Sequence, residues 1–272
     1  MAWLQTSDGL RLAYLVDNFT DPWKPAATVV LLHAAMSNAR RLARMVPALG
    51  RHARVVRIDL RGHGASEVPP PEAPLSMPRL VADVVEVLNR LGVEKAHFVG
   101  VAMGGSVAQN VALAAPSRVR SLSLFGSLPG MAASPVRDWP ARIRAEGLRG
   151  FVESTLAERF DPARTEPALL RWFVDDCARI DPEYAARYFE LMAGLDWSDQ
   201  LHRITCPALV VMPGAESIGG TARYHYMHEC LPDARLLVYE GMPHNVCDAD
   251  PDRCAADVLA FLRERFGDPL EA

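Results

Sequence analysis

The segment Gly100–Gly104 constrains the fold of this chain more than any other part of it. It follows the apolar run Ala96–Val99 and reads Gly-Val-Ala-Met-Gly. The pattern Gly-x-Ser-x-Gly marks a strained strand-to-helix turn that presents one side chain at the top of a parallel sheet. Here the presented residue is Ala102, whose methyl group cannot attack a substrate. The segment therefore predicts an elbow on a parallel sheet, but without the nucleophile that such an elbow presents.

Short apolar runs bounded by turn residues alternate with amphipathic stretches along most of the chain. This alternation favours βα units on a mostly parallel sheet. The first two runs flank Asp8-Gly9 and predict a hairpin. The predicted strands are Trp3–Thr6, Leu10–Val16, Val29–Leu32, Val55–Ile58, Ala96–Val99, Leu122–Phe125, Leu209–Met212 and Leu236–Tyr239.

Residues 134–201 interrupt the alternation with a stretch of helical composition. We expect a helical lid over the strand ends, inserted between the sixth and seventh strands and dividing the core into residues 1–133 and 202–272. His33 of the core and Trp139 and Trp172 of the lid are candidate ligand contacts. Aromatic residues of this kind would also serve the lid's own packing.

A histidine and a carboxylate follow strands in positions that suit acid–base chemistry. His244 comes directly after the last predicted strand, which places its imidazole at the carboxyl end of the sheet, beside the elbow. Two strand-end turns could supply an orienting acid. The turn 126–130 has no carboxylate, whereas the turn 213–218 contains Glu216. Elimination favours Glu216 as the acid that orients His244.

Two backbone N–H groups are candidates for stabilising an oxyanion. One belongs to Met103, directly after the elbow position, and the other to Ala35, in the loop after the third strand. Backbone donors do not depend on side-chain identity, so alanine can serve. Each such donor is worth about 3–4 kcal/mol of transition-state stabilisation in other enzymes.

The segment Arg57–Ser66 closely matches the Asp-x-Arg-Gly-x-Gly-x-Ser turn of the α/β-hydrolase fold superfamily. With His33-Ala34, the elbow and His244 in this order, the chain resembles that superfamily over essentially its whole length. The resemblance implies a mostly parallel eight-stranded sheet with helices on both faces and a helical lid. Residues 128–162 are similar to the lid of 3-oxoadipate enol-lactonases and related lactonases and esterases, which implies a carboxylic ester or lactone as the small-molecule substrate.

The chain departs from the superfamily pattern at Ala102, where a serine is expected, and three interpretations stay open. The first is a triad hydrolase disarmed by a serine-to-alanine substitution and able to bind intact substrate. The second is a natural lyase or dioxygenase that uses His244 as a base without a nucleophile. The third is a non-catalytic small-molecule-binding protein. A complete set of base, acid and oxyanion loop favours the first.

Composition excludes several other classes of function. A net charge of −4 over 272 residues gives no reason to expect nucleic acid or an anionic membrane as a partner, and the scattered arginines suit solvated helix faces. Five dispersed cysteines and a start without a secretory signal favour reduced thiols and a cytoplasmic location. The pair His225 and His228 lacks a third ligand, so we expect no metal and no cofactor. A homodimer is compatible with the sequence.

Overall fold

An eight-stranded sheet forms the centre of the molecule, in the order β1-β2-β4-β3-β5-β6-β7-β8. The computed structural model describes residues 1–132, 134–267 and 270. β1 and β2 form the expected antiparallel hairpin, β2 is antiparallel to β4, and every other neighbouring pair is parallel. The strands are β1 Ala2–Gln5, β2 Arg11–Asp17, β3 Thr28–Leu32, β4 Arg54–Ile58, β5 Ala96–Val101, β6 Val119–Phe125, β7 Ala208–Pro213 and β8 Ala234–Tyr239.

Helices cover both faces of this sheet because its central strands are apolar on both sides. On β3, Val30 and Leu32 pack into one core cluster while Val29 and Leu31 pack into the other. Successive strand side chains point to opposite faces, so a continuous apolar run buries both. The helices are α1 Val46–Leu49, α2 Met77–Arg90, α3 Met103–Ala114, α4 Trp139–Ser154, α5 Leu156–Arg159, α6 Pro167–Cys177, α7 Pro182–Ala193, α8 Ala222–Cys230, α9 Val246–Ala249 and α10 Pro251–Phe266. Short 3₁₀ turns lie at Ala39–Met45, Pro116–Arg118, Pro135–Asp138 and Ser198–Arg203.

Helices α4 to α7 lie between β6 and β7, where the sequence predicts a lid. They have their own apolar cluster, in which Trp139 packs edge-on against Phe151 and Phe189. At the base of this insertion, Gly130 and Asp196 form an isolated antiparallel bridge. The predicted boundary at residue 133 and the chain end at 272 lie outside the described residues, so the division into three segments stays a prediction. Within the described ranges, no helix is long and apolar enough to cross a membrane.

The elbow between β5 and α3 depends on glycine because the backbone is packed too closely for a side chain. A methyl group on Gly104 would lie 2.2 Å from the carbonyl oxygen of Leu32. We expect Gly104→Ala to lower the free energy of unfolding by about 1–3 kcal/mol, since the clash is with backbone that cannot rotate away.

Urea denaturation followed by circular dichroism measures this effect, with Gly150→Ala as the matched control. Gly150 lies within helix α4, and an added methyl group would meet only the Glu146 side chain, at 3.5 Å. That control should be neutral or slightly stabilising. Equal urea midpoints for the two variants would contradict the close packing of the elbow.

Candidate active site

Ala102 occupies the tip of the elbow in a strained backbone conformation. It separates β5 from α3 and has φ 47° and ψ −112°. A residue with a Cβ atom rarely adopts this region, and holding it there costs on the order of 1–3 kcal/mol. Its N–H donates to the carbonyl of Phe125 at 2.8 Å, and its own carbonyl accepts from the Ser127 hydroxyl at 2.9 Å. These bonds hold residue 102 at the carboxyl end of the sheet, as the spacing of the motif predicts.

The structure brings His244 and Glu216 into direct contact. His244 lies in the loop after β8 and Glu216 in the loop after β7, and Nδ1 of the imidazole is 2.6 Å from Oε2 of the carboxylate. The carboxylate side chain is fully buried, whereas the imidazole remains 16% exposed. With Nδ1–H donating to Glu216, a neutral imidazole has Nε2 as its proton acceptor. The pair is therefore arranged as a base held in one tautomer by an acid.

Three further contacts keep Glu216 ionised. Its Oε1 accepts from the backbone N–H groups of Ile218 at 2.8 Å and Gly219 at 3.3 Å, and its Oε2 accepts from the Tyr224 hydroxyl at 3.0 Å. Burial by itself raises the pKa of this carboxyl. The charge of His244 and the hydrogen bonds from His244, Ile218 and Tyr224 outweigh burial and bring the pKa below its usual value.

The two predicted oxyanion donors lie on the wall of the same cavity as Ala102 and His244. Met103 is the first residue of α3, so its N–H has no partner within the helix. In the part of the chain that the structure describes, the N–H groups of Met103 and Ala35 have no acceptor. The positive end of α3 adds a favourable field for negative charge at this point. Their role as an oxyanion hole stays a prediction.

His33, a predicted ligand contact, does not line the cavity that Ala102 and His244 share. The side chain is fully buried and is absent from the cavity wall. Its Nδ1–H donates to the carbonyl of Ala34 at 2.7 Å, and its Nε2 accepts the N–H of Leu60 at 3.0 Å. Both ring nitrogens bind backbone groups, so His33 shapes the loop that carries Ala35 and has no free ring nitrogen for a ligand.

Of the two lid tryptophans, Trp139 lines the cavity and Trp172 does not. Trp172 is 38% exposed and lies in a separate surface groove beside Arg44. The next residue on α6, Phe173, points into the cavity instead. Successive helical residues are rotated by about 100°, so Trp172 and Phe173 point to different sides of α6. The structure therefore puts Phe173, rather than the predicted Trp172, on the cavity wall.

The cavity has a volume of about 680 Å³ including its mouth, and its wall is mainly apolar. Most of that wall could not be predicted from the sequence, because lid residues that face a cavity have the same pattern as residues that pack the lid. Arg41 and Arg159 also gave no signal, since a single arginine on a short helix has the same pattern as a solvated one. Among the described residues, no three His, Cys, Asp or Glu side chains cluster as a metal site would require. The apolar wall includes Met36, Met103, Leu128, Met131, Val136, Phe173, Phe189, Met192 and Ile218.

Three buried histidines are expected to make the fold less stable in mild acid. Burial lowers the pKa of His33 and that of His97 to about 4, and that of His63 to about 3. In the unfolded chain all three pKa values return to about 6.5, so the unfolded state binds more protons between these limits. The stabilisation is complete above pH 6.5 and is lost as the pH falls towards the folded-state values.

We therefore expect the free energy of unfolding to fall by about 2 kcal/mol per histidine between pH 7 and pH 5. Urea titrations at pH 7, 6 and 5 measure this slope. A His63→Gln variant should show roughly two-thirds of the slope, since His33 and His97 remain and one of the three imidazoles is absent. A urea midpoint that is constant from pH 7 to pH 5 would contradict the assignment of neutral, buried imidazoles.

Comparison with known proteins agrees with this geometry. A family model of the alpha/beta hydrolase fold matches residues 27–173, which is more than half of the chain. The chain belongs to the α/β-hydrolase family. This confirms the fold class predicted from Arg57–Ser66 and the elbow, and it supports a hydrolase class of function.

Several α/β-hydrolases are similar to this chain over most of its length. The pimeloyl-[acyl-carrier protein] methyl ester esterase of Aeromonas hydrophila is 31% identical, covering 79% of this chain and 87% of the esterase. The 3-oxoadipate enol-lactonase 2 of Acinetobacter baylyi is 28% identical, covering 68% of this chain and 70% of the lactonase. The crystal structure of a hydrolase from Pseudomonas aeruginosa superimposes with a TM-score of 0.84 at 32% identity, covering 96% of this chain and 97% of the hydrolase.

Proposed function

We propose that this protein is a carboxylic ester or lactone hydrolase whose nucleophile position holds Ala102, so that this form binds an intact substrate without acylation. One observation carries the proposal. The 2.6 Å hydrogen bond between His244 and Glu216 lies at the same cavity as a strained, non-glycine elbow residue. Esterases and lactonases among the relatives support the substrate class.

The mechanism follows from the arrangement once a hydroxyl stands at position 102. Nε2 of His244 takes the hydroxyl proton while the oxygen attacks the ester or lactone carbonyl. The N–H groups of Met103 and Ala35 stabilise the resulting oxyanion. His244 then protonates the leaving oxygen and later activates the water that releases the acyl group. Glu216 keeps the imidazole in the required tautomer and stabilises its cation.

A second candidate function needs no nucleophile. His244 would abstract a proton from a bound substrate, and the same two N–H groups would hold the enolate, as in a lyase or a cofactor-independent dioxygenase. The observation in its favour is that His244 is hydrogen-bonded to Glu216 and shares a cavity with Met103 and Ala35, although Ala102 carries no reactive atom. Binding without any chemistry is the remaining alternative.

The decisive experiment is Ala102→Ser, assayed with a p-nitrophenyl ester and with a lactone. Hydrolysis that appears in the variant and is missing in the unaltered chain supports the proposal. A folded Ala102→Ser variant that hydrolyses neither compound would overturn it.

A further inference from the structure

Arg159 differs from the other buried arginines of the described chain in having no carboxylate partner. Its side chain lines the cavity and the residue is only 3% exposed. No Asp or Glu oxygen of the described residues lies within 4.0 Å of its guanidinium. The other three each bind an aspartate: Arg41 binds Asp248, Arg57 binds Asp17 and Arg61 binds Asp83.

The edge of the guanidinium that binds carboxylates is unoccupied in Arg159. In Arg61, for comparison, Nε and Nη2 bind the two oxygens of Asp83 at 2.6 and 2.7 Å. In Arg159 the single hydrogen bond runs from Nη1 to the carbonyl of Thr155 at 3.0 Å. Nε and Nη2 have no acceptor among the described residues. An arginine has five N–H donors, so most of its binding capacity is unused.

The surroundings of Arg159 provide aromatic faces, and among the described residues the charges of Glu158 and Glu216 act on it only from beyond salt-bridge distance. Its Cζ lies 5.1 Å from the ring centroid of Trp139 and 5.7 Å from that of Phe151. Burial raises the pKa of the nearby Cys177 thiol to about 11, so at neutral pH this group is uncharged. Burial lowers the pKa of Arg159 only to about 10, so the guanidinium stays charged. A buried positive charge without a carboxylate in contact is unfavourable. A ligand that brings a negatively charged group to Arg159 is therefore favoured.

Arg159 is also tied to the candidate catalytic loop. It ends helix α5 of the lid, and its carbonyl accepts the backbone N–H of Asn245 at 3.0 Å. Asn245 directly follows His244, and all three residues line one cavity. A single small ligand can therefore contact the imidazole and the guanidinium together. The other polar side chains of the cavity are already engaged, as Arg41 is with Asp248.

We infer that Arg159 binds a free carboxylate of the substrate, which makes the substrate class an ester or lactone that also carries an acid group. A carboxylate fits the Nε/Nη2 edge with two parallel hydrogen bonds, as in the aspartate pairs elsewhere in the chain. The apolar wall would hold the carbon chain between the two ends. This inference rests on the proposed function for the ester or lactone part of the ligand.

Binding to the unaltered chain tests the inference without turnover, because Ala102 cannot be acylated. Calorimetry at pH 7 compares monomethyl glutarate, which has one ester and one carboxylate, with the neutral dimethyl glutarate. We expect the monoester to bind at least 10-fold more tightly, and Arg159→Met to weaken monoester binding by about 10- to 100-fold. Arg159→Lys should recover part of this affinity, since an ammonium supplies charge but not the paired donors. Equal affinity for the two esters would overturn the inference.

A stability measurement separates ligand binding from a structural role. Arg159→Met removes an unpaired buried charge, so its thermal midpoint should stay the same or rise. Arg41→Met is the matched control and should lower the midpoint, because it leaves Asp248 buried and unpaired. A lowered midpoint for Arg159→Met with an unchanged ratio of monoester to diester affinity would mean that Arg159 serves the fold alone.

The Ala102→Ser background distinguishes failure of this inference from failure of the proposed function. If the variant hydrolyses neither ester while the unaltered chain still prefers the monoester, the hydrolase proposal fails and the carboxylate site stands. If the variant hydrolyses both esters with equal kcat/KM, and Arg159→Met leaves the two kcat/KM values equal, the hydrolase proposal stands and the carboxylate site fails.

Discussion

Replacing Ala102 by serine is expected to raise the turnover of a p-nitrophenyl ester by about 10⁴- to 10⁶-fold over the unaltered chain. Loss of the serine in a well-studied triad protease costs about a millionfold in kcat, and this variant makes the reverse change. The backbone at position 102 already has φ 47°, so a serine at that position would adopt the conformation that the alanine holds now. His244 and Glu216, the proposed base and acid, are already hydrogen-bonded at 2.6 Å.

The measurement is steady-state release of p-nitrophenolate, together with mass spectrometry of quenched enzyme for the acyl adduct. Two controls accompany it. Ala102→Gly keeps the positive φ without a hydroxyl and should remain inactive. Ala102→Ser combined with His244→Ala should lose nearly all of the gained activity, because the hydroxyl then has no base. A similar rate in that double variant would show that His244 does not act as the base.

Within the Ala102→Ser background, Glu216→Gln is expected to lower kcat by about 10⁴-fold. An amide in place of the carboxylate can stabilise the wrong imidazole tautomer and supplies no charge for the imidazolium. Because the pKa of Glu216 lies below its usual value, the carboxylate is ionised throughout the neutral range and should not itself titrate activity there. Initial rates from pH 6 to pH 9, measured for Ala102→Ser with and without Glu216→Gln, give the loss in kcat and show whether Glu216 titrates activity.

Tyr224→Phe serves as the matched control for the acid. It removes one 3.0 Å hydrogen bond to Glu216 but leaves the contact with His244. We expect a loss of about 10-fold or less, in keeping with one hydrogen bond to a charged group. A neutral effect of Glu216→Gln would remove Glu216 from the mechanism and require another acid.

Much of the fold and the polar part of the site could be predicted from local sequence. The elbow spacing and the apolar runs predict parallel strands, and the carboxyl ends of parallel strands lie at one edge of a sheet. That rule is sufficient to bring His244 and Glu216 towards Ala102, although they are separated by over a hundred residues in sequence. Elimination between two turns left Glu216, and the structure places it 2.6 Å from the imidazole.

The cavity wall could not be predicted in the same way. Trp172 and Phe173 are neighbours of similar apolar character, and only the rotation of α6 against the core decides that Phe173 faces the cavity. His33 precedes the oxyanion loop in sequence, yet its two nitrogens are taken by backbone groups of Ala34 and Leu60. No local pattern distinguishes these outcomes, because both depend on packing between distant segments.

The sequence by itself therefore determined the fold, the elbow with its missing nucleophile, and the residues that could act as base and acid. These features depend on the spacing of apolar runs and turn residues along the chain, which can be read from neighbouring residues in the sequence. Only the tertiary structure decided which side chains face the cavity and which charges are paired. Arg159 shows the difference, since nothing in its local sequence indicates that it is buried at the cavity without a carboxylate in contact among the described residues. Burial and pairing are properties of the packed molecule, because they depend on segments that meet only after folding.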